Sequence, residues 1–597
     1  MDFPSKKKAL RAGPAARWFS RVLPVSALGF ALLALAQQPA SEPKLPSPAL
    51  RVETRLVLVD VVVTDKKGNP VPGLTRQDFA LKEEGEPQEI SVFEWNSAAA
   101  PPSAPSPLPP HVYTNRPEYH PPRGALTIVL LDALNTARKD QVLMREEALH
   151  YLGSPAASGQ WTAIMVLTKR LRVLQDFTTD RELLLAAVKN FEPEQSALLS
   201  TREMVTSCEM RAYYEYLREL SADFGDPPSR IDELQQKEQS FMAQSDKERA
   251  ELTLAALRDI GQSVLGYPGR KNLVWLSGSF LALYPGREKW SMDTEMRKTG
   301  QLLSDARVAV YPVDPRGLDT LASDETIGEF EQRVGRRSMR VDPNYGYVNM
   351  PTGSVSDPKV YFQSTLGAMN ALAESTGGQA FYNRNDLSTA VAMAVSDGSA
   401  YYTLGYYPKN ESWDGGYRRL AVKLAPPPAG LELRYRAGYY AAALPKSADT
   451  APRTEEEISA DLLPALTGPV PATGLTFQAR VPPPALADPL LVAIEVWLDT
   501  TSQVFRELPE GAREADFDFV AAAFSPEGAL LKNVARHVHW RLTPAEYQQA
   551  VRRGVVLPVR MELTPGTYQL RLLLRDNRTG LLGRVDVPLP AASASSP

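Results

Sequence analysis

The sequence predicts an α/β protein: a doubly wound, mostly parallel sheet inserted in or flanked by β-rich modules, followed by a C-terminal β-sandwich. Three observations predict it. Between residues 123 and 398 short continuous apolar runs alternate with segments of helical period, as a parallel sheet covered on both faces requires. Strand-dense, turn-punctuated stretches stand on either side, at 51–97 and 399–443. From 473 to 590, about seven short strand candidates follow at sandwich spacing. A chain of 597 residues is too long for one core at roughly 150 residues per domain. Its 51 prolines, well above the usual share of about 5%, point to proline-rich connections between folded units.

At the amino end, Lys6, Lys7, Lys8, Arg11, Arg17 and Arg21 precede an apolar run from Val22 to Ala36 that closes on Ala34-Leu35-Ala36. A basic region, an apolar core and an A-x-A site read as a signal peptide over residues 1–36. The run is shorter than the roughly 20 residues that span a bilayer, so membrane attachment is expected only if the segment stays uncleaved. The expected location is exported: periplasm, outer surface or medium. The segment carries a net charge of +5, so cleavage takes the formal charge from −4 to −9, which argues against a nucleic-acid partner. The one cysteine, Cys208, permits neither an intramolecular disulfide nor a thiolate metal site; beside Glu209 and without a basic cluster it reads as an inert thiol.

Residues 37–50, rich in proline and serine without a period, read as a leader. Leu56–Val63 (LVLVDVVV) is the first strand, and Asp65-Lys66-Lys67-Gly68-Asn69-Pro70 turns it. Phe79–Lys82 and Ile90–Trp95 follow as strands with a reversal at Glu84-Gly85-Glu86-Pro87, giving a β module over 51–97. Residues 98–122 hold nine prolines and read as a polyproline-leaning linker that joins no central sheet.

The α/β region opens with strand Leu126–Leu131, ending in Asp132, and a helix marked by Val142, Leu149 and Leu152. Strand Thr162–Leu167, helix Asp180–Asn190, strand Asn272–Leu276, a helix around Thr294–Asp305 and strand Arg307–Val313 continue the alternation. Leu366, Met369 and Leu372 mark a helix stopped by Gly377-Gly378. A short strand, Gln379–Tyr382, and a last helix with Leu387, Val391 and Val395 follow, with Asn385 as its N-cap. Residues 192–258, rich in Glu, Arg, Gln and Tyr at helical spacing, exceed any ordinary strand-to-helix loop and read as a helical insertion. Residues 317–360 show no period and read as a surface loop.

After Ser399, Tyr401–Tyr407 (YYTLGYY), Arg418–Leu424 and Leu431–Tyr435 read as strands, with Asp414-Gly415-Gly416 as a hairpin turn. An isolated hairpin is marginal in water, so the strands of 399–443 are expected to pair with the N-terminal module. The α/β region is then an insertion in a split β domain. Residues 444–472 read as a second linker, and Leu491–Leu498, Phe517–Phe524, Val555–Leu563 and Tyr568–Leu574 as strands of the C-terminal sandwich.

Several motifs carry a family likeness. Asp132-Ala133-Leu134-Asn135-Thr136, the run from Tyr267 to Gly278 (YPGRKNLVWLSG) and Val310–Gly317 (VYPVDPRG) resemble von Willebrand factor A domains. With the leading β module and the YYTLGYYPKN and RYRAGYY segments, the chain resembles the exported VWFA-related family described from Acidobacteria, over roughly residues 51–441. The resemblance implies a Rossmann-type sheet with a ligand crevice at the carboxyl ends of its strands. It also implies a test of ion binding, because metal-binding A domains hold magnesium or manganese with an Asp-x-Ser-x-Ser loop, a second-loop Thr and a third-loop Asp. Here Asp132 and Thr136 keep oxygen donors, Leu134 has none, and Ser277-Gly278-Ser279 stands where the third-loop Thr-Asp-Gly is expected. Ser200-Thr201 lies in the region of the second loop. This is a degenerate metal-ion-dependent adhesion site, and no cofactor is expected. Any magnesium or manganese would have to rest on Asp132 and Thr136.

The expected function is non-enzymatic binding of a protein, matrix or envelope ligand by a crevice rim of Asp132, Asn135, Thr136, Ser277, Ser279 and Asp314. Asp132 also reads as a capping or loop-closing carboxylate, and Asp314, before Pro315, as a turn former. Asp132→Ala is expected to leave the fold intact. Tyr401, Tyr402, Tyr406 and Tyr407 read as half-buried strand packing or a contact surface. The rival reading is a structural envelope component with a vestigial crevice. A hydrolase ranks third, since Ser277 and Ser279 have no Gly-x-Ser-x-Gly setting and His111, His120, His150, His537 and His539 lie outside the crevice segments. His537 and His539 share one strand face, but two imidazoles make an incomplete metal site, and exposed strand residues are the plainer reading.

Overall fold

The computed structural model describes residues 55–97, 106–119, 125–200, 208–224, 229–279, 289–317, 358–384, 387–425, 430–441, 453–484, 490–498, 505–508 and 511–589. The expected signal peptide and leader, most of the 317–360 loop, and Asn385 lie outside them. Strands β1 (Val57–Asp65), β2 (Phe79–Glu83), β3 (Glu86–Gln88), β4 (Ile90–Ser97) and β5 (Val112–Thr114) precede a mixed α/β region. That region runs β6 (Leu126–Asp132), α1 (Arg138–Gly153), β7 (Trp161–Leu167), β8 (Leu171–Thr178), α2 (Arg181–Lys189), α3 (Cys208–Phe224), α4 (Ser229–Val264), β9 (Lys271–Leu276), α5 (Lys289–Asp305), β10 (Val308–Val313), α6 (Pro358–Thr376) and α7 (Leu387–Ser399).

The central sheet has the order β10-β9-β6-β7-β8. Its first four strands are parallel, and β8 closes the edge antiparallel to β7. The sequence reading missed β8 because an edge strand is half exposed and carries no continuous apolar run. Strand alternation divides the core between the two faces. Val129 and Leu131 of β6 pack with Met144, Tyr151, Leu184 and Val391 of α1, α2 and α7, whereas Ile128 and Leu130 pack with Leu257, Ile260, Leu303 and Met369 of α4, α5 and α6. Each such aliphatic burial contributes about 1.5–3 kcal/mol.

Local chemistry accounts for several boundaries. Asp180 caps α2, accepting from Glu182 N at 2.9 Å and Leu183 N at 3.3 Å. At the end of α6, Gly377 takes φ +77° and Gly378 N donates to Ala373 O at 2.9 Å, as a glycine C-cap requires. Other expectations need correction. The core stripe of α1 is Met144, Ala148, Tyr151 and Leu152, while Val142 is exposed, because the sheet selects a stripe rotated from the one Val142 and Leu149 define. Gln379–Tyr382 is no strand: only Phe381 bridges Val313. The helical insertion does not end at 258, since α4 continues to Val264 and its last turns, with Leu257, Ile260 and Val264, belong to the sheet core.

The strands before and after this region pair with each other. β11 (Ala400–Tyr406) lies between β1 and β4, and β13 (Leu431–Arg434) completes the sheet β13-β1-β11-β4. β12 (Tyr417–Leu424) lies between β2 and β14 (Gly438–Tyr440) in a second sheet, β14-β12-β2-β3. Both sheets enclose one core that includes Val59, Val61, Leu81, Tyr402, Leu404 and Val422. Two expected reversals are therefore corrected. Gly415 does turn, with φ +83°, but β11 and β12 do not pair across it, because β1 and β4 already occupy both edges of β11. For the same reason the turn after β2 leads into β3, and β4 crosses to the other sheet. Tyr401, Tyr402 and Tyr406 are buried, and of the four tyrosines only Tyr407 is exposed.

C-terminal strands β15 (Phe477–Arg480), β16 (Leu491–Leu498), β17 (Arg506–Glu507), β18 (Arg513–Phe524), β19 (Leu530–Leu542), β20 (Val555–Glu562), β21 (Gln569–Asp576) and β22 (Leu582–Pro588) form two sheets, with α8 (Glu455–Thr467) before them and α9 (Pro544–Arg553) within them. The orders are β20-β16-β15-β5 and β17-β18-β21-β22, with β19 beside β18, and apolar residues of both sheets meet in one core. Both expected linkers contain structure. Val112-Tyr113-Thr114, free of proline, adds β5 as an edge strand, and the 444–472 stretch holds α8, started by a Thr454–Glu457 capping box and buried through Ile458, Leu462 and Leu466.

Candidate functional site

Five of the six rim residues converge at the carboxyl ends of β6 and β9. Asp132, the last residue of β6, is fully buried and its carboxylate is ringed by donors. Oδ1 accepts from Asn135 N at 3.0 Å, and Oδ2 accepts from Asn135 Nδ2, Trp275 Nε1 and Ser277 Oγ, each at 2.9 Å. The loop after β6 folds back because Asn135 is three residues on, so one side chain and one backbone N–H close on the same carboxylate. Thr136 Oγ1 accepts from Gly278 N at 2.8 Å, and Ser279 Oγ donates to Asn135 O at 2.7 Å, tying the β6 and β9 loops together. Gly278 keeps this contact close: a Cβ would meet Thr136 Cγ2 at 3.2 Å, so that methyl would have to give.

Helix α4 closes this arrangement from above. Arg249 Nη1 donates to Asn135 Oδ1 at 3.0 Å and to Ser279 Oγ at 3.4 Å, its Nη2 pairs with Asp246, and Thr253 Oγ1 accepts from Asn135 Nδ2 at 2.8 Å. Arg249 and Asp246 are themselves buried, with side chains 4% and 3% exposed. The rim is thus not presented to solvent, in contrast to the sequence expectation: Asp132, Asn135, Thr136, Ser277 and Ser279 are all buried, and α4 bonds to Asn135 and Ser279 among them. Asp246, Arg249 and Thr253 were missed by sequence reasoning. Their spacing of three and four places them on one helix face, but nothing in a charged 36-residue helix marks which polar stripe turns inward.

Asp314 stands apart from the cluster in its bonding. Its carboxylate accepts from Arg316 N at 3.0 Å, Nε at 2.9 Å and Nη2 at 2.6 Å, which is the turn-forming role Pro315 suggests. Ser200 ends the described stretch before α3, bonded to Ser196 O at 2.9 Å, and Thr201 lies outside the described residues. Cys208 begins α3.

Burial pushes the Asp132 carboxyl above the usual carboxylate range, against the lowering effect of the bonds from Asn135, Trp275 and Ser277. The donor set fits a divalent ion poorly. A hard cation needs free oxygens, but both Asp132 oxygens already accept N–H or O–H bonds, and Leu134 is buried in the core. Among the described residues no group of His, Cys, Asp and Glu side chains is gathered for an ion. A nucleophile is equally unsupported, since Ser277 Oγ bonds to Asp132 and to Ser279 O at 2.8 Å, and no histidine is among its partners.

Of the two histidines of β19, His539 is exposed as expected, at 45%, and only His537 is corrected. His537 is largely buried, at 18% exposure, with Nδ1 at 2.9 Å from Asp518 Oδ1, because the facing strand β18 places Asp518 directly opposite it.

Among the described residues no helix is long and apolar enough to cross a membrane. No family model and no curated protein matches the chain. Solved structures similar to it include an aerotolerance-related membrane protein from Bacteroides fragilis NCTC 9343 carrying multiple mutations to serine, with 9% identity, 46% of this chain and 98% of that chain covered, and a TM-score of 0.23. The conserved hypothetical protein BatB from Bacteroides thetaiotaomicron matches with 11% identity over 46% of this chain and 97% of its own, at a TM-score of 0.22. A von Willebrand factor type A structure from Catenulispora acidiphila matches with 8% identity over 84% of this chain and 74% of its own, at a TM-score of 0.21.

Proposed function

We propose that this chain is an exported, non-enzymatic protein of von Willebrand A type, with a doubly wound sheet, a split β domain and a C-terminal β-sandwich. It binds a protein partner of the cell envelope or matrix at the carboxyl end of its α/β sheet. The binding surface is not the rim itself but the helical hairpin laid over it. The observation that carries this reading is the outer face of α3 and α4. Tyr213, Tyr216 and Leu220 on α3, and Leu234 and Phe241 on α4, are exposed, Phe241 at 70%. They recur at spacings of three, four and seven, the pattern that the apolar face of an incoming amphipathic helix complements. Arg218, two residues from both Tyr216 and Leu220 and so on another side of α3, contacts Asp232 and Gln235 of α4. Residues 229–245 of α4 run on for about 25 Å beyond the Asp246–Arg249 pair. Large apolar side chains exposed at such spacing on a helix mark an interaction surface.

Ion-independent binding accompanies this reading, because the positive charge beside the crevice is supplied by Arg249. The test is capture from envelope extract by the mature chain and by a Tyr213→Ser, Tyr216→Ser, Phe241→Ser variant. These side chains are exposed, so the variant retains the fold by circular dichroism and is expected to lose the captured protein. Equal capture by both would overturn the hairpin as the binding surface. The saturated bonding around Asp132 favours one second reading, a structural envelope component with a vestigial crevice. Failure of the wild-type chain to retain any envelope component would point to it.

A further inference from the structure

The exposed apolar residues of α4 share their stripe with two cations. Arg230, Leu234, Lys237 and Phe241 follow one another at spacings of four, three and four, which sets them on one side of the helix, and all four are exposed. Among the described residues neither Arg230 nor Lys237 makes an ion pair or a hydrogen bond. The acids nearest in sequence do not cancel them: Glu238 bonds to the buried Tyr214 of α3, and Glu233 is one carboxylate against two cations. On α3 the sign is reversed. Tyr213, Tyr216 and Leu220 are accompanied by Glu215 and Glu219, four apart and exposed on a row of their own. The hairpin is therefore cationic along the α4 stripe and acidic along α3.

From this charge pattern we propose that the partner docks an amphipathic helix whose carboxylates line one flank only, the flank that meets Arg230 and Lys237. The inference rests on the reading of the hairpin as the binding surface and names the chemistry of what it binds. Arg230 and Lys237 stand seven residues apart, about 10 Å along the axis, so the matching Asp or Glu residues recur every seven residues beside an apolar face, as flank charges do in paired helices. The apolar face covers Leu234 and Phe241, and the stems of Arg230 and Lys237 extend that apolar surface toward their charged ends. Exposed charges of this kind set orientation and association rate more than affinity. A helix acidic on both flanks would also meet Glu215 and Glu219 and be repelled. The same repulsion acts on a uniformly anionic lipid surface, which favours a protein helix over a membrane.

The test uses two synthetic helical peptides with one leucine face, carrying either Glu or Lys at seven-residue intervals along one flank, titrated against the mature chain by fluorescence anisotropy. The Glu peptide is expected to bind at least about 10-fold more tightly than the Lys peptide at low salt, with the gap narrowing to about threefold at roughly 0.5 M salt. The variant Arg230→Glu, Lys237→Glu should invert the preference while its circular dichroism stays unchanged, since both side chains are exposed. Tyr213→Ser, Tyr216→Ser, Phe241→Ser should lose both peptides. Binding of neither peptide, equal binding of both, or a preference that survives the charge reversal would overturn the acidic partner. If the serine variant then still loses the protein captured from envelope extract, the hairpin reading stands without this inference; if capture is untouched by that variant, the hairpin reading fails as well. Two other results would also overturn it: phosphatidylglycerol vesicles bound through Arg230 and Lys237 in preference to the Glu peptide, which makes the occupant a membrane, and self-association abolished by Phe241→Ser, which makes it a second copy.

Discussion

Arg249→Ala is expected to release α4 from the strand ends. The substitution removes the Arg249 guanidinium from the Asp246 carboxylate, 3% exposed, and breaking such a buried pair costs about 3–5 kcal/mol. Asn135 Oδ1 and Ser279 Oγ lose a donor as well. A loss of about 3 kcal/mol in the free energy holding α4 down corresponds to roughly 100-fold faster exchange of its protected amides. Native-state hydrogen exchange followed over residues 246–257 reads this directly, without requiring the whole multidomain chain to unfold in one step. The double variant Asp246→Leu, Arg249→Met removes both charges and fills the space with apolar atoms. It is expected to restore most of the protection, because an apolar pair of similar volume replaces a buried ion pair at little or no cost. Exchange in Arg249→Ala within fivefold of the wild type, or a double variant as fast as the single one, would refute the claim that this pair latches the helix.

Three further predictions follow from particular contacts. Asp132→Ala removes the buried acceptor that Trp275, Ser277 and Asn135 share, and a buried polar group that loses its bond costs about 1–3 kcal/mol. A clear fall in melting temperature is therefore expected, and an unchanged melt would restore the simpler view of Asp132 as a free rim residue. Lys271 is buried with its Nζ on Tyr267 O at 2.6 Å, and burial together with the Arg307 charge lowers its pKa to about 7, against a smaller raising effect of Asp60. The unfolded chain then binds the proton more tightly, so stability should rise as pH climbs from about 7 toward the ordinary lysine range near 10.5, and denaturation profiles of Lys271→Met should lack that rise. Gly378→Ala would place a Cβ 2.0 Å from Val310 O, so the α6–β10 junction must move; a drop of at least about 2 kcal/mol in urea denaturation is expected, and a neutral result would contradict the packing.

The legible part of the fold was the part governed by local pattern. β6, β7, β9 and β10 announce themselves as apolar runs because both their faces are covered, and Asp180 and Gly377 mark helix ends by their own chemistry. β8 and β5 escaped because an edge strand buries only one side and needs no distinctive composition. α8 had a signal that was passed over, the Thr454–Glu457 capping box with Ile458, Leu462 and Leu466 behind it. The candidate site was half legible. Asp132, Asn135, Thr136, Ser277 and Ser279 are brought together as the strand-end positions suggest, but the helix that bonds to Asn135 lies 114 residues along the chain from it.

By itself, the sequence determined the buried parallel strands β6, β7, β9 and β10, where the strand-end oxygens would gather, and that Leu134 deprives the first loop of a ligand. Those properties depend on residue type and on neighbours a few positions away. Only the tertiary structure decided that Arg249 and Asp246 seal the crevice, that β11 and β12 part into different sheets, and that Asp516 and Asp518 meet the two histidines of β19. Each of those outcomes turns on which surface is left unpaired once the other elements have packed, a quantity that no local pattern carries.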